Sequence, residues 1–196
     1  IEAEDKGRLR GLSTYYQKNI LFLSVKDMEG SFLENNPELQ SVSIEKKFPN
    51  SLVITVTLHP ILATIEMSGG YAYLSEDGKI IRKSREKKAL YPLIHYYQKM
   101  NYASFSAGAD ITYIDILSAL HFVKKLSDLG LRTDTVDING LDMLLFTIGD
   151  KNIIFTTEKD TKTQDYELEQ IIKQFKVEGR DFRSLDLRFE KPIIRF

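Results

Sequence analysis

The apolar residues near the start of the chain recur at helical spacing. Three of them lie three and four positions apart and so share one face: Val25, Met28 and Phe32. Ser24 is placed to accept a backbone N–H of the first turn, and Pro37 disfavours helical geometry in the residue before it. We therefore predict a helix that starts after Ser24 and ends before Pro37. A further helix-like stretch covers residues 4–17.

Beyond residue 40 the apolar spacing changes from helical to alternating. Residues 41–46 and 52–58 alternate with a period of two, which is typical of strands. Residues 48–51 between them contain Pro49 and have the composition of a turn. These segments predict a β-hairpin packed against the preceding helix.

The rest of the chain mixes strand-like and helix-like segments. One amphipathic helix is capped by Asp110, carries an apolar stripe over residues 113–126 and ends at Gly130, and a second spans residues 166–177. Strands are predicted at the following positions: 61–67, 71–74, 79–81, 135–138, 143–148, 152–156, 184–189 and 192–196.

This order of elements predicts an α+β fold in two parts. The first is a small helix and β-hairpin module over residues 1–58. The second, residues 59–196, is an antiparallel β-sheet domain with packed helices, because turns such as Asn139–Gly140 favour hairpins.

Composition narrows the possible functions. The 196 residues are 42% hydrophobic and 28% charged, which is typical of a globular protein. A net charge of -1 argues against nucleic acid as a partner. The absence of cysteine excludes disulfides, cysteine-containing zinc sites and thiol nucleophiles. No run of about 18 apolar residues is present, so the sequence contains no candidate membrane span.

Candidate chemistry is sparse. The three histidines His59, His95 and His121 are scattered, and no phosphate, dinucleotide or zinc-protease motif occurs. Residues 135–146 resemble a calcium loop only in part, because Thr135 and Phe146 stand where carboxylates are needed. We expect no metal and no cofactor.

Acidic residues are abundant, and pairs such as Asp181 and Asp186 are available for acid–base work. No nucleophile or orienting group stands beside them in the sequence, so surface acids are the simpler interpretation. We therefore expect a protein that is not an enzyme.

Two segments leave alternatives open. The basic run from Arg82 to Lys88 is expected to be a solvated loop, with contact to anionic lipid, cell-wall polymer or an acidic partner as the other interpretation. Several tyrosines downstream suit either an interface or a half-buried core: Tyr91, Tyr96, Tyr97 and Tyr102.

The last two predicted strands end at the C-terminus, with no later segment to cover them. An uncovered strand offers unpaired N–H and C=O groups, so a strand of another chain can complete the sheet. The alternative, that this strand lies inside the sheet or under the N-terminal module, stays open.

The order of short motifs resembles one family, the extracytoplasmic part of the bacterial cell-division proteins FtsQ/DivIB. Residues 19–22 are similar to the family's "NIF" segment, and residues 48–56 to its "aromatic-Pro-x-x-L-x-I-x-V" hairpin. Residues 73–80 resemble a "(V/L)-D-x-x-G-x" hairpin with Ser75 in place of the usual Asp, and residues 185–189 resemble a "DLR-aromatic" strand.

The resemblance implies a POTRA domain to residue 58 and an FtsQ/DivIB-type β domain over residues 59–196. A POTRA domain normally opens with a strand that this chain seems to lack before its first helix, and residues 95–101 have no family counterpart. It implies a type II single-pass protein of the cell membrane whose N-terminal helix is absent from this chain, with this part outside the cytoplasm at the division septum.

In function, the resemblance implies a non-enzymatic divisome scaffold for septal cell-wall synthesis, with FtsB/DivIC-like and FtsL-like proteins as partners. By this resemblance, and by continuation along the last strand, the partner-binding residues are Leu187, Arg188, Phe189, Ile193, Ile194, Arg195 and Phe196. A POTRA-containing module of outer-membrane assembly or transport is the alternative, and a cell-wall-processing enzyme is a remote one.

Overall fold

The computed structural model describes residues 9–87, 90–140 and 142–196. The chain divides into two compact units, Ile1–Pro60 and Ile61–Phe196. The first eight residues, which include the start of the predicted helix over 4–17, lie outside the described residues. The described part of that stretch forms a short 3-10 helix, Leu12–Tyr15, instead of an extended α-helix.

The first unit contains one helix and one hairpin: α1 (Val25–Asn35), β1 (Leu39–Lys47) and β2 (Ser51–Leu58). The Oγ of Ser24 accepts the N–H of Asp27 at 3.3 Å, which confirms the predicted cap. The helix stops at the predicted place, before Pro37.

The core of this unit lies between α1 and one face of the hairpin, whose register places Ile44 opposite Ile54. Its buried residues alternate along β1 and recur helically along α1, as the apolar pattern predicts: Leu12, Met28, Phe32, Leu39, Val42 and Ile44. Asn36 at the helix end is fully buried, and its side chain exchanges two hydrogen bonds with the backbone of Arg10.

The second unit contains nine strands and two helices among its described residues: β3 (Ala63–Met67), β4 (Gly70–Leu74), β5 (Ile80–Ser84), β6 (Leu93–Tyr96), α2 (Ile114–Asp128), β7 (Thr135–Ile138), β8 (Met143–Ile148), β9 (Lys151–Thr156), α3 (Thr161–Glu178), β10 (Ser184–Asp186) and β11 (Ile193–Arg195). Both helices share one core with the sheet, in which Phe122 stacks on Phe155 at 3.9 Å between ring centroids. No helix in the described ranges combines the length and apolar character needed to cross a bilayer.

All nine strands form one sheet in the order β11-β10-β9-β8-β7-β6-β3-β4-β5. The α+β class is confirmed, but the sheet is mixed where we expected antiparallel pairing, because β6 runs parallel to both β3 and β7, and β10 runs parallel to β9. The cause is visible in the connections. Helices α2 and α3 lie between β6 and β7 and between β9 and β10, and such crossovers return the chain in the same direction.

Several element boundaries differ from the predictions. Helix α2 begins at Ile114 rather than after Asp110, because Asp110 is held in a β-bridge with Lys79. Helix α3 begins at Thr161, five residues before the predicted start, because Asp160 caps it by accepting the N–H of Thr163 at 2.9 Å. Strand β6 was not predicted.

Candidate functional site

The C-terminal strand β11 is the outermost strand of the sheet at one edge. It pairs with β10 alone among the described strands, in the antiparallel register Ser184–Arg195, Leu185–Ile194 and Asp186–Ile193. The alternative that this strand lies inside the sheet is therefore wrong.

The hydrogen bonds of β10 show which backbone groups of β11 face outward. Towards β9, the N–H of Asn152 donates to the carbonyl of Arg183 at 2.8 Å, and the N–H of Leu187 donates to the carbonyl of Ile154 at 2.9 Å. Successive residues of a strand direct their polar backbone groups to opposite sides. Leu185, midway between those two bonds, therefore also faces β9.

By the same alternation, Ser184 and Asp186 direct their backbone groups towards β11. Their register partners Arg195 and Ile193 direct theirs back towards β10. The N–H and C=O of Ile194 consequently point to the open side of the sheet. No described strand pairs with that side.

Two of the predicted partner-binding residues lie inside the structure. Leu187 has no exposed surface and belongs to the core. The Arg188 guanidinium binds the carboxylate of Asp186 through two bonds, Nε to Oδ1 at 3.0 Å and Nη2 to Oδ2 at 2.8 Å. These residues support the edge from within.

This pairing sets the charge state of Asp186. Burial by itself raises the pKa of the Asp186 carboxyl, but the hydrogen bonds from the Arg188 side chain and backbone outweigh it, so the pKa lies below its usual value. The same carboxylate raises the pKa of Arg188. The ion pair therefore persists through neutral pH.

The other predicted residues lie at or near the surface of the edge. Phe189, Ile193 and Phe196 are 48%, 46% and 64% exposed, Arg195 is exposed, and Ile194 is partly buried against the core. The Phe196 ring packs edge-on against Phe175 on α3, with ring centroids 6.1 Å apart. The structure thus brings Ile193 to Phe196 together as one exposed strip, with Phe189 in the preceding turn.

Sequence analysis missed Lys159, which anchors this turn. Its Nζ donates to the carbonyls of Leu187 at 3.1 Å and Phe189 at 2.7 Å and pairs with Glu167 at 2.5 Å. The lysine lies about thirty positions before the carbonyls that it binds. No local pattern reports a contact of that separation.

The opposite edge strand, β5, is partly covered. The N–H of Ile80 donates to the carbonyl of Ala109 at 2.9 Å, and the N–H of Gly108 donates back to Ile80 at 2.8 Å. The N–H of Ile111 donates to the carbonyl of Gly78 at 3.0 Å. Residues 108–111 therefore close the beginning of this edge.

The basic run is not a wholly solvated loop. Its first three cations lie over tyrosine rings: Arg82 over Tyr73 at 4.3 Å, and Lys83 and Arg85 over Tyr102 at 3.8 Å and 4.5 Å. Such contacts fix the side chains against the sheet. Lys88, the last member of the run, lies outside the described residues.

The histidines and acids form no catalytic or metal-binding group in the described ranges. His95 contacts Glu66 at 2.8 Å, and His121 contacts Asp165 at 2.9 Å, each as a separate pair. Asp181 pairs with Lys151 at 2.7 Å. No cluster of three metal-ligating side chains occurs in the part of the chain that the structure describes.

Comparison with known proteins identifies the first unit. Residues 9–57 match the family described as "POTRA domain, FtsQ-type". The first unit is a POTRA domain of the FtsQ type. The predicted relationship to the FtsQ/DivIB family is thereby confirmed through this domain.

Individual relatives agree with this match. Over 56 residues, 29% of this chain, the sequence is 39% identical to the cell division protein DivIB of Staphylococcus aureus (strain NCTC 8325 / PS 47). It is 38% identical over the same length to DivIB of Staphylococcus aureus (strain MRSA252). The matched segment spans 13% of the length of each relative.

The POTRA domain shows where two family-like motifs lie. Residues 19–22 form a 3-10 helix, in which the side chain of Asn19 accepts the N–H of Leu21 at 3.0 Å. The turn between β1 and β2 contains a cis peptide bond between Phe48 and Pro49. Both motifs are local features of the backbone.

Proposed function

We propose that this protein acts in bacterial cell division as a non-enzymatic scaffold, and that a strand of a partner protein adds to β11. One observation carries the proposal: the backbone N–H and C=O of Ile194 point away from β10 to an open sheet edge. Hydrogen bonds to such an edge give affinity, and the side chains beside it give specificity.

The POTRA domain and the DivIB relatives support the division role. We further propose that residues 59–196 are the family's β domain and that the partner strand comes from an FtsB/DivIC-like protein, in an assembly with an FtsL-like protein. In this proposal the protein works outside the cell membrane at the septum. The FtsQ-type match favours this role over an outer-membrane assembly module.

The seven predicted residues then have two different tasks. Ile193, Ile194, Arg195 and Phe196 present backbone and side chains to the added strand, and exposed Phe189 borders it. The buried residues Leu187 and Arg188 hold the edge in place.

Titration calorimetry with the extracytoplasmic segment of the organism's FtsB/DivIC-like protein tests the proposal. Ile194→Pro removes the outward N–H and is expected to weaken binding by about 100-fold or more, since proline lacks the donor and restricts φ. The matched control is Ile194→Ala, which keeps the N–H, and it should retain affinity within about tenfold. Circular dichroism must first show that both variants are folded.

A second measurement holds if the proline variant does not fold. Hydrogen exchange of the wild-type Ile194 amide should slow markedly in the complex, because the partner strand would then occupy this donor. Undiminished binding by folded Ile194→Pro, or an Ile194 amide that exchanges equally fast in the complex, would refute strand addition at β11.

A further inference from the structure

Three tyrosines from separate parts of the second unit meet at the end of β6 and the start of α2. The Tyr96 ring lies 4.8 Å from the ring of Tyr97 and 6.0 Å from the ring of Tyr113, measured between centroids. Tyr97 is 39% exposed and Tyr113 is 47% exposed. The group therefore presents aromatic surface to solvent.

A buried carboxylate adjoins these rings. Asp115 is 2% exposed; its Oδ1 accepts the N–H of Ile116 at 2.9 Å, and its Oδ2 has no hydrogen-bond partner in the described part of the chain. Burial, and then interaction with Asp115 and with Tyr97, raise the pKa of the Tyr96 hydroxyl. We call Tyr96, Tyr97, Tyr113 and Asp115 the tyrosine cluster.

The tyrosine cluster differs from the other aromatic sites in its charge. Tyr73 and Tyr102 each have a cation of this chain over the ring, whereas no described lysine or arginine lies over the cluster's rings or forms an ion pair with Asp115. Buried carboxylates are normally paired, and the faces of aromatic rings carry negative potential. The cluster thus combines two sources of negative potential without a cation to balance them.

We propose that the tyrosine cluster binds one basic side chain, an arginine or a lysine, of a polypeptide partner. The exposed faces of Tyr97 and Tyr113 would contact the cation, and the charge of Asp115 beneath them would add attraction at short range. Arginine suits the site better than lysine, because a planar guanidinium also stacks on aromatic rings. This proposal does not depend on strand addition at β11.

Amide NMR on the whole chain tests it with a capped Gly-Ser-Arg-Ser-Gly peptide as the probe and the same peptide with norleucine as the control. The arginine peptide should cause saturable shifts at Tyr96, Tyr97, Tyr113 and Asp115, with a dissociation constant of about 1 mM. The norleucine peptide should cause none. Equal binding of both peptides, or no saturable shift with arginine, overturns the proposal.

Variants separate the aromatic contribution from the charge. Tyr113→Leu should weaken binding about threefold, while Tyr113→Phe, which keeps the ring face, should leave it unchanged. Asp115→Asn should weaken it about fivefold. Tyr166→Leu, which alters an exposed tyrosine on α3 outside the cluster, is the matched control and should have no effect.

If Asp115→Asn proves unfolded by circular dichroism, the Tyr113 pair decides the question. Equal losses in Tyr113→Leu and Tyr113→Phe would show that the ring face is not the binding element, and so would contradict the proposal.

Discussion

The two edges of the nine-stranded sheet are treated differently by the fold. At β5, residues 108–111 donate to and accept from the strand, and tyrosine rings hold its cations. At β11, the chain ends without a cover over the backbone groups of Ile194. An exposed edge invites pairing with another chain, so a protein that closes one edge and leaves the other open confines strand addition to one place.

The largest expected difference between the edges lies in hydrogen exchange of the free chain. The amide of Ile80 is fully buried and bonded to Ala109, whereas the amide of Ile194 points to solvent. Ile80 should exchange about 1000-fold more slowly than Ile194, because its opening requires near-global unfolding. Similar rates at both amides would remove the contrast between a closed and an open edge.

The cover of the β5 edge can be broken at Gly78. Its φ is +84°, and an added Cβ would lie 2.7 Å from the carbonyl oxygen of Ile111 and 2.7 Å from the side chain of Leu117. Gly78→Ala should cost about 3–4 kcal/mol of unfolding free energy, from positive φ together with overpacking. Denaturant unfolding measures it.

The matched control is Gly130→Ala, at a similar φ of +80° but with open space around the added Cβ. It should cost only about 1–2 kcal/mol, the conformational part alone. Equal costs at the two glycines would mean that the contact with residues 108–111 contributes nothing.

The support of the open edge depends on Lys159. Lys159→Met removes the bonds to the carbonyls of Leu187 and Phe189 and should lower stability by about 1–2 kcal/mol. It should also speed exchange of the amides in β10. Lys124→Met, which breaks an exposed pair with Asp128 on α2, should change stability by less than about 0.5 kcal/mol.

The smallest expected effect is a pH dependence at Asp186. Its pKa is lower in the folded chain than in the unfolded chain, so the pair with Arg188 stabilises the fold above the unfolded value of about 4 and loses this contribution as the pH falls through the folded value. Arg188→Gln should therefore destabilise the protein more at pH 6 than at pH 3, as denaturant unfolding at the two pH values shows.

The control is Arg183→Gln, an exposed arginine just before β10, which should show no such difference between the two pH values. A deficit of Arg188→Gln that stays constant from neutral to acidic pH would assign its effect to packing rather than to the ion pair.

Local interactions let the sequence predict many elements. Helix α1 starts after Ser24 and ends before Pro37, and β7 and β8 have the predicted bounds, because caps, turns and apolar periodicity act over a few residues. The candidate site was predictable to the same extent. The apolar C-terminal strand is visible in the sequence, and the structure places it at an edge.

Only the tertiary structure decided the order of the strands, the parallel pairs of β6 and β10, the burial of Leu187, the anchor at Lys159 and the meeting of Tyr96 with Tyr113 and Asp115. Each depends on contacts between residues well separated in the chain. Their free energy comes from packing and pairing that no short window of sequence contains. The sequence by itself determined which segments form helices and strands, and long-range packing determined which of their surfaces remain open to a partner.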